Sequence, residues 1–287
     1  MPSLRVIRKR IQSVKNIQQI TRAMYMIAAT KLRRAQQEVE ASRPYAQALN
    51  ETIHRLMLRI ERKDHPLLVE REENKVELVL FTSDRGLCGA FNENLIRFAE
   101  RFIREKIEQE KEISLVLVGK KAIDYFKKRP VKISQRYLNP DREVSFEKAR
   151  NIADEIIKRY LAEEMDAVYM LYSVFHSPLI QRPNLFPLLP FKPKEELKLL
   201  RVEYKYEPDE RTILEHLLPR QIRQQIFQAM LETRASELGA RMSAMDLATQ
   251  NAGEMIDRLT LQMNRARQEA ITKELLDIIT GAEAIKK

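Results

Sequence analysis

Apolar residues return every three or four positions through the first sixty residues: Leu4, Ile7, Ile11, Val14, Ile17, Ile20, Met24, Ile27 or Ala28, Leu32, Ala35, Val39, Ala46, Leu49, Ile53, Leu56 and Ile60. That spacing predicts one helix with an apolar stripe. No glycine interrupts it, and at 1.5 Å per residue it would run roughly 85 Å, longer than a compact domain holds. Pro44 predicts a bend at Arg43 rather than an end, because the periodicity resumes at Ala46.

The last eighty residues repeat the pattern. Arg211 to Leu218 reads as a short helix after Pro208 and Asp209, and Pro219 as the first-turn residue of a longer one. Apolar positions then recur at Ile222, Ile226, Met230, Leu238, Met242, Met245, Ala248, Ala252, Ile256, Leu259, Met263, Ala266, Ala270 and Ile278, over roughly 90 Å. Small residues crowd its middle (Ala235, Ser236, Gly239, Ala240, Ser243, Ala244), so a partner helix can approach closely. Gly281 reads as a C-cap or a final-turn break. Two such helices can cover each other's stripes as an antiparallel, left-handed coiled coil if the intervening chain acts as the turn.

Between them the period changes. Residues 76–83, 113–119 and 131–137 read as strands, and so does 166–177. Helical stretches at 91–110, 120–129 and 146–165 alternate with them, which predicts an α/β unit with a mainly parallel, Rossmann-like sheet. Residues 197–206 read as a last edge strand, after a loop rich in proline (Pro183, Pro187, Pro190, Pro193). Three zones follow: an N-terminal coiled-coil helix over 1–60, an α/β domain over 61–208 and a C-terminal coiled-coil helix over 209–287.

Composition sharpens this picture mainly through charge. The formal net charge is +10 over 287 residues. Residues 1–60 carry twelve Lys and Arg against three acids, and the first 34 residues carry nine bases and no acid. Arg5, Arg8, Lys9, Arg10, Lys15, Arg22, Lys31, Arg33 and Arg34 therefore decorate a helix whose apolar face is already committed. Such a basic rod suits an acidic protein surface or nucleic acid, although it lacks interleaved aromatics and helix-turn-helix spacing. A solvated helix face remains the plain alternative. No run of 18 apolar residues suggests a direct membrane span, and the start lacks the apolar segment of a signal peptide.

Catalytic chemistry finds little to build on. Asp84-Arg85-Gly86-Leu87-Cys88-Gly89 is too short for a phosphate-binding Walker loop and lacks its Lys-Ser/Thr, so its glycines read as a sharp strand-to-helix turn, with Asn92 or a polar neighbour as cap. The single cysteine, Cys88, excludes an internal disulfide and reads as a buried small hydrophobe or, failing that, a nucleophile. His54, His65, His176 and His216 make no i, i+4 metal pair. The carboxylate pairs Glu72-Glu73, Glu163-Glu164 and Asp154-Glu155 are adjacent and do not face each other on a helix. No cofactor and no catalytic residue is expected.

Three blocks nonetheless carry a specific resemblance: IRKRIQSVKNIQQITRAMYMIAATKLRRAQ (7–36), SDRGLCGAFN (83–92) and the long stretch from ASELGARMSAMD to DIITGAEA (235–284), with YKYEPD at 204–209. In this order they resemble the gamma subunit of F-type ATP synthases, across essentially the whole chain. The resemblance implies a non-catalytic central stalk, coupling proton-driven rotation of a c-ring to sequential changes in three catalytic beta subunits. Its implied partners are three alpha and three beta subunits, the epsilon subunit and the c-ring, with no nucleic acid. Its implied location is peripheral, at the cytoplasmic face of a bacterial cell membrane.

Residue by residue, the resemblance implies contacts to the beta subunits at Arg8, Lys9, Arg10, Arg22, Met24, Arg241, Gln268 and Thr272. It implies an upper bearing at Leu275, Leu276, Ile278, Ile279 and Ala282, which are apolar on more than one helix face. It implies foot contacts at Tyr204, Tyr206 and Glu207, where an ordinary edge strand and turn is the alternative. Departures are small: Ile17 stands where the family commonly has Thr, and Ala90 where it has a second glycine. The disulfide-bearing insert of the chloroplast form is absent.

Overall fold

The computed structural model describes residues 4–57, 65–138, 144–192, 207 and 209–285. In chain order the elements are α1 (Leu4–Met57), β1 (Lys75–Phe81), α2 (Phe91–Glu108), β2 (Glu112–Val118), α3 (Lys120–Phe126), β3 (Lys132–Tyr137), α4 (Phe146–Leu161), β4 (Ala167–Phe175), β5 (Gln181–Leu189) and α5 (Glu210–Ile285). The terminal helices pair as an antiparallel coiled coil with the α/β domain inserted between them. Two compact units are resolved: Met1–Ala28 with Met242–Lys287, and Ala29–Arg241.

Within the larger unit the five strands lie in the order β3-β2-β1-β4-β5. The pairs β1 with β2, β1 with β4 and β2 with β3 are parallel, and β5 closes one edge antiparallel to β4. Both faces are covered, so β1 reads as an unbroken buried run rather than an alternation. On one face α2 and α3 bury Leu95, Ala99, Phe102, Ala122 and Phe126 against Val76, Leu78, Leu80, Leu115 and Leu117. On the other, Val79, Phe81, Val116 and Val118 meet α4, the end of α1 (Leu49, Ile53, Leu56) and the start of α5 (Leu214, Leu218, Ile222, Ile226).

That second face also holds a charge. Glu77 is fully buried on the central strand, where Arg159 of α4 grips it with both terminal nitrogens, the longer contact being 2.9 Å. The bidentate geometry supplies the partner that a buried carboxylate requires.

Three expectations are corrected, and a fourth falls outside the described residues. The first half of the proline-rich stretch is a strand, β5, not a loop: it holds Pro183 and Pro187, while Pro190 follows it and Pro193 lies outside the described residues. Pro183 faces Ser173 and Pro187 faces Tyr169, both at one strand parity on the sheet's edge. An edge strand tolerates proline where its missing N–H would have pointed away from the sheet. The short helix at 211–218 is continuous with α5, and Pro219 lies inside it rather than in a first turn. Asp209 begins that helix, accepting the Thr212 N–H at 2.9 Å. Gly281 does not end α5, which continues to Ile285. Residues 197–206, expected as an edge strand, lie outside the described residues. Helix α1 runs through Pro44 without interruption.

Candidate coupling surface

A doubly wound sheet offers its ligand crevice at the carboxyl ends of the strands where the strand order reverses. Here that point lies above β1 and β4, beside the loop 84–89. Leu87 (φ 63°) and Gly89 (φ 56°) both adopt the left-handed backbone that lets the chain turn into α2. Asn92 does not cap that helix, contrary to expectation. Ala90 holds the cap position, with no side-chain cap bond. The Asn92 amide instead ties the turn to the strand end, accepting the Ser83 N–H at 3.0 Å and donating to the Cys88 sulfur at 3.2 Å.

Cys88 is 2% exposed, and burial, then the neighbouring Glu237 charge, pushes its thiol up. A thiolate is therefore disfavoured, and the nucleophile reading is set aside in favour of packing.

The crevice is filled by α5. A side-chain carbon at Gly239 would sit 3.2 Å from both the Phe175 ring and Pro178 Cα. That is tighter than an ordinary van der Waals contact, so any larger residue would push the ring or the Pro178 backbone back by a few tenths of an ångström. Two residues on, Arg241 Nη2 donates to Gly86 O at 3.1 Å and pairs with Glu237 at 2.5 Å. Burial pushes the Glu237 carboxyl up, and Arg241 opposes that shift. Arg241 is thus largely buried and committed to the loop.

The smaller unit holds the ends of both long helices. Its seam follows alternating steps of three and four on α1: Leu4, Ile7, Ile11, Val14, Gln18, Thr21, Tyr25 and Ala28. Ile7, Thr21 and Ala28 are buried and the others half-buried. Opposite, Thr249 of α5 places its hydroxyl 2.8 Å from that of Thr21, while Gln18 Nε2 reaches the Thr249 carbonyl at 3.5 Å. A polar layer therefore sits in the middle of an apolar seam.

This corrects the expected stripe. Ile17, Ile20 and Ile27 are more than half exposed and form a second apolar row, turned outward. The periodic apolar pattern drew the seam through Ile17 and Ile20. An unbroken three-four spacing passes through Gln18 and Thr21 instead, legible only to a reader who admits polar residues to a seam.

Arg8, Lys9, Arg10 and Arg22 are exposed and Met24 half-buried. Lys9 and Arg10 share a groove with Arg258 of α5, floored by Val6, Val14, Met255 and Leu259. Sequence reasoning missed Arg258, whose nearest apolar neighbours hid it among seam positions. Further along α5, Gln268 and Thr272 are exposed one turn apart, the Thr272 hydroxyl donating to the Gln268 carbonyl at 2.9 Å. Leu275, Leu276, Ile278 and Ile279 are each over half exposed. Ala282 lies in the same helix. Glu207 is an exposed bend residue before α5, while Tyr204 and Tyr206 lie outside the described residues.

Exposed apolar residues on both helices of this unit, flanked by exposed bases, are an unusual surface for a chain that stands alone. Among the described residues no helix is long and apolar enough to cross a membrane, and no cluster of His, Cys, Asp and Glu could hold a metal ion.

Comparisons with known proteins agree with this geometry. Residues 3–285 match the family model described as ATP synthase. The chain is 51% identical to the ATP synthase gamma chain of Geobacter metallireducens over 287 residues, and 46% identical to that of Pelotomaculum thermopropionicum, with each chain covered in full. Among solved structures, a chain of the Euglena gracilis mitochondrial ATP synthase shares the fold at a TM-score of 0.68 and 22% identity, over 98% of this chain and 94% of that one. A chain from the central stalk and c-ring of the Tetrahymena thermophila mitochondrial enzyme gives 0.62 and 24%, over 80% and 99%. The chain belongs to the ATP synthase gamma chain family.

Proposed function

We infer that this chain is the rotating central shaft of a bacterial F-type ATP synthase, turned by a proton-driven c-ring and driving three catalytic beta subunits in sequence. It performs no bond chemistry itself. The observation that carries this reading is the second apolar row of α1, Ile17, Ile20 and Ile27, left outward beside exposed Arg8, Lys9, Arg10 and Arg22 although the seam is already filled. A single chain inside a threefold ring presents a different face to each copy, and differential contact is what shifts otherwise equivalent conformations.

In this reading Arg8, Lys9, Arg10, Arg22, Met24, Gln268 and Thr272 meet the beta subunits. Arg258 joins Lys9 and Arg10 there. Arg241 acts indirectly, by holding the loop at Gly86. Leu275, Leu276, Ile278, Ile279 and Ala282 turn in an apolar sleeve formed by the alpha and beta subunits. Tyr204, Tyr206 and Glu207 belong to the foot, against the epsilon subunit and the c-ring. Residues 1–60 and 209–287 serve as the shaft and 61–208 as the foot domain, peripheral to the cytoplasmic face of the membrane.

Reconstitution tests this. Added to purified alpha and beta subunits, the chain gives a complex whose ATP hydrolysis depends on it, and the chain alone hydrolyses nothing. Equal turnover with and without it would contradict the reading.

A further inference from the structure

Strand β4 outruns its neighbour. Its parallel ladder with β1 ends at Leu80 opposite Leu171, yet β4 continues to Phe175. On its other side Ser173 faces Pro183, which has no N–H to give. The backbone groups of Ser173 and Phe175 therefore face the side that β1 has vacated, and a buried backbone group without a partner costs about as much as a lost hydrogen bond.

Helix α5 supplies the partners. The Glu232 carboxylate accepts the Phe175 N–H at 3.0 Å, and the Ser236 hydroxyl donates to the Ser173 carbonyl at 3.0 Å. The match is geometric: four helical residues rise about 6 Å and two strand residues about 6.6 Å. Both side chains are buried, Glu232 at 7% and Ser236 at 0% exposure.

The same carboxylate reaches α1. Gln228 Nε2 donates to the second Glu232 oxygen at 3.2 Å, which turns Gln228 Oε1 toward the Ser42 hydroxyl, 2.6 Å away. One polar chain thus runs from α1 through α5 to the end of the sheet. The apolar packing of Ile222, Ile226, Ala229 and Met230 is non-directional, and the other polar ties of α5 to the domain, Arg223 to Asp154 at 2.6 Å and Arg241 to Gly86 O at 3.1 Å, run through long, partly buried side chains rather than to strand backbone. Hydrogen bonds to strand backbone are directional.

We propose that Glu232 and Ser236 are positioning residues that key the α/β domain to α5 at one angular setting, so that torque passes between them without slip. This deepens the rotary reading and rests on it. With the key removed, the domain yields under load: the beta subunits still fire, but rotation is not delivered to the foot.

The test uses the complete ATP synthase in sealed vesicles, carrying the natural chain, Glu232→Ala, Ser236→Ala or Glu232→Gln. Three quantities are read: ATP hydrolysis, internal acidification per ATP hydrolysed, and hydrogen exchange at the Phe175 amide. Glu232→Ala is expected to speed Phe175 exchange by about tenfold, the scale of one charge-assisted hydrogen bond. Hydrolysis should be retained while acidification per ATP falls. Glu232→Gln, which keeps an oxygen for the amide, should restore both.

Faster exchange with an unchanged acidification ratio overturns the proposal, and so does unchanged exchange. If Glu232→Ala does not assemble, Ser236→Ala gives the same two readings with smaller changes and is judged the same way. Should vesicles reconstituted without this chain hydrolyse ATP and acidify as well as those with it, the rotary reading fails, whereas exchange at Phe175 in the chain-bearing vesicles still tells whether Glu232 holds that amide.

Discussion

The hydroxyls of Thr21 and Thr249 lie 2.8 Å apart across the seam of the smaller unit, where heptad spacing would place two apolar side chains. Thr249 also reaches the Met245 carbonyl at 2.8 Å, and Thr21 the Gln18 carbonyl at 3.0 Å, so each hydroxyl has a fallback on its own helix. Replacing Thr249 by Val should therefore cost only about 1 kcal/mol, and Thr21→Val with Thr249→Val together less than the sum, since the seam then becomes uniformly apolar. Denaturation of the four members of that cycle measures the coupling. Additive losses would show that the pair is not a bonded layer.

Two glycines separate structural need from tolerance. Gly119 has φ 104°, and a Cβ there would lie 2.1 Å from the Thr82 carbonyl oxygen, backbone that cannot yield. Gly119→Ala is expected to prevent the α/β domain from folding, seen as loss of near-ultraviolet dichroism. Gly281, with nothing within 4 Å, lies inside α5. Gly281→Ala should raise local helix stability by about 1 kcal/mol.

How far the sequence could be read follows from the same contrasts. Positions whose neighbours in sequence are also their neighbours in space were legible: the parallel strands and intervening helices fall within a few residues of their expected bounds. Strand β5 was hidden because Pro183 and Pro187 read as breakers unless it is known that they lie at an edge. The filling of the crevice by Gly239 and Arg241 pairs residues far apart in the chain with the 84–89 loop, and no local pattern encodes that. Spacing alone puts Ile17 and Ile20 in the seam, because hydrophobicity does not distinguish a buried row from one awaiting a partner.

That outward row gives a functional prediction. Ile17→Gln, Ile20→Gln and Ile27→Gln together should leave the free chain's stability nearly unchanged, within about 0.5 kcal/mol per exposed site. Stimulation of ATP hydrolysis by alpha and beta subunits should fall sharply. A large loss of stability with normal stimulation would place the row in a fold contact instead.

Stability should also respond to pH through His65. Burial, reinforced by Arg211 and opposed by Glu215, lowers its pKa below the ordinary 6.5. Its Nδ1 accepts the Leu67 N–H at 3.2 Å, which requires the neutral ring. Because the unfolded chain takes up the proton first, this contribution is complete above pH 6.5 and is lost as the pH falls from there toward the lowered folded value. Urea titrations between pH 7.5 and pH 5 should show that decline, and His65→Asn should flatten it.

The rotary account is tested most directly by watching the chain turn. Leu179, 82% exposed at the tip between β4 and β5, takes a cysteine-linked probe, while the native Cys88 at 2% exposure does not compete for the label. With the chain assembled in immobilised alpha and beta subunits and supplied with ATP, the probe should rotate in one direction, pausing three times per turn. A probe that stays fixed while ATP is hydrolysed would contradict the account.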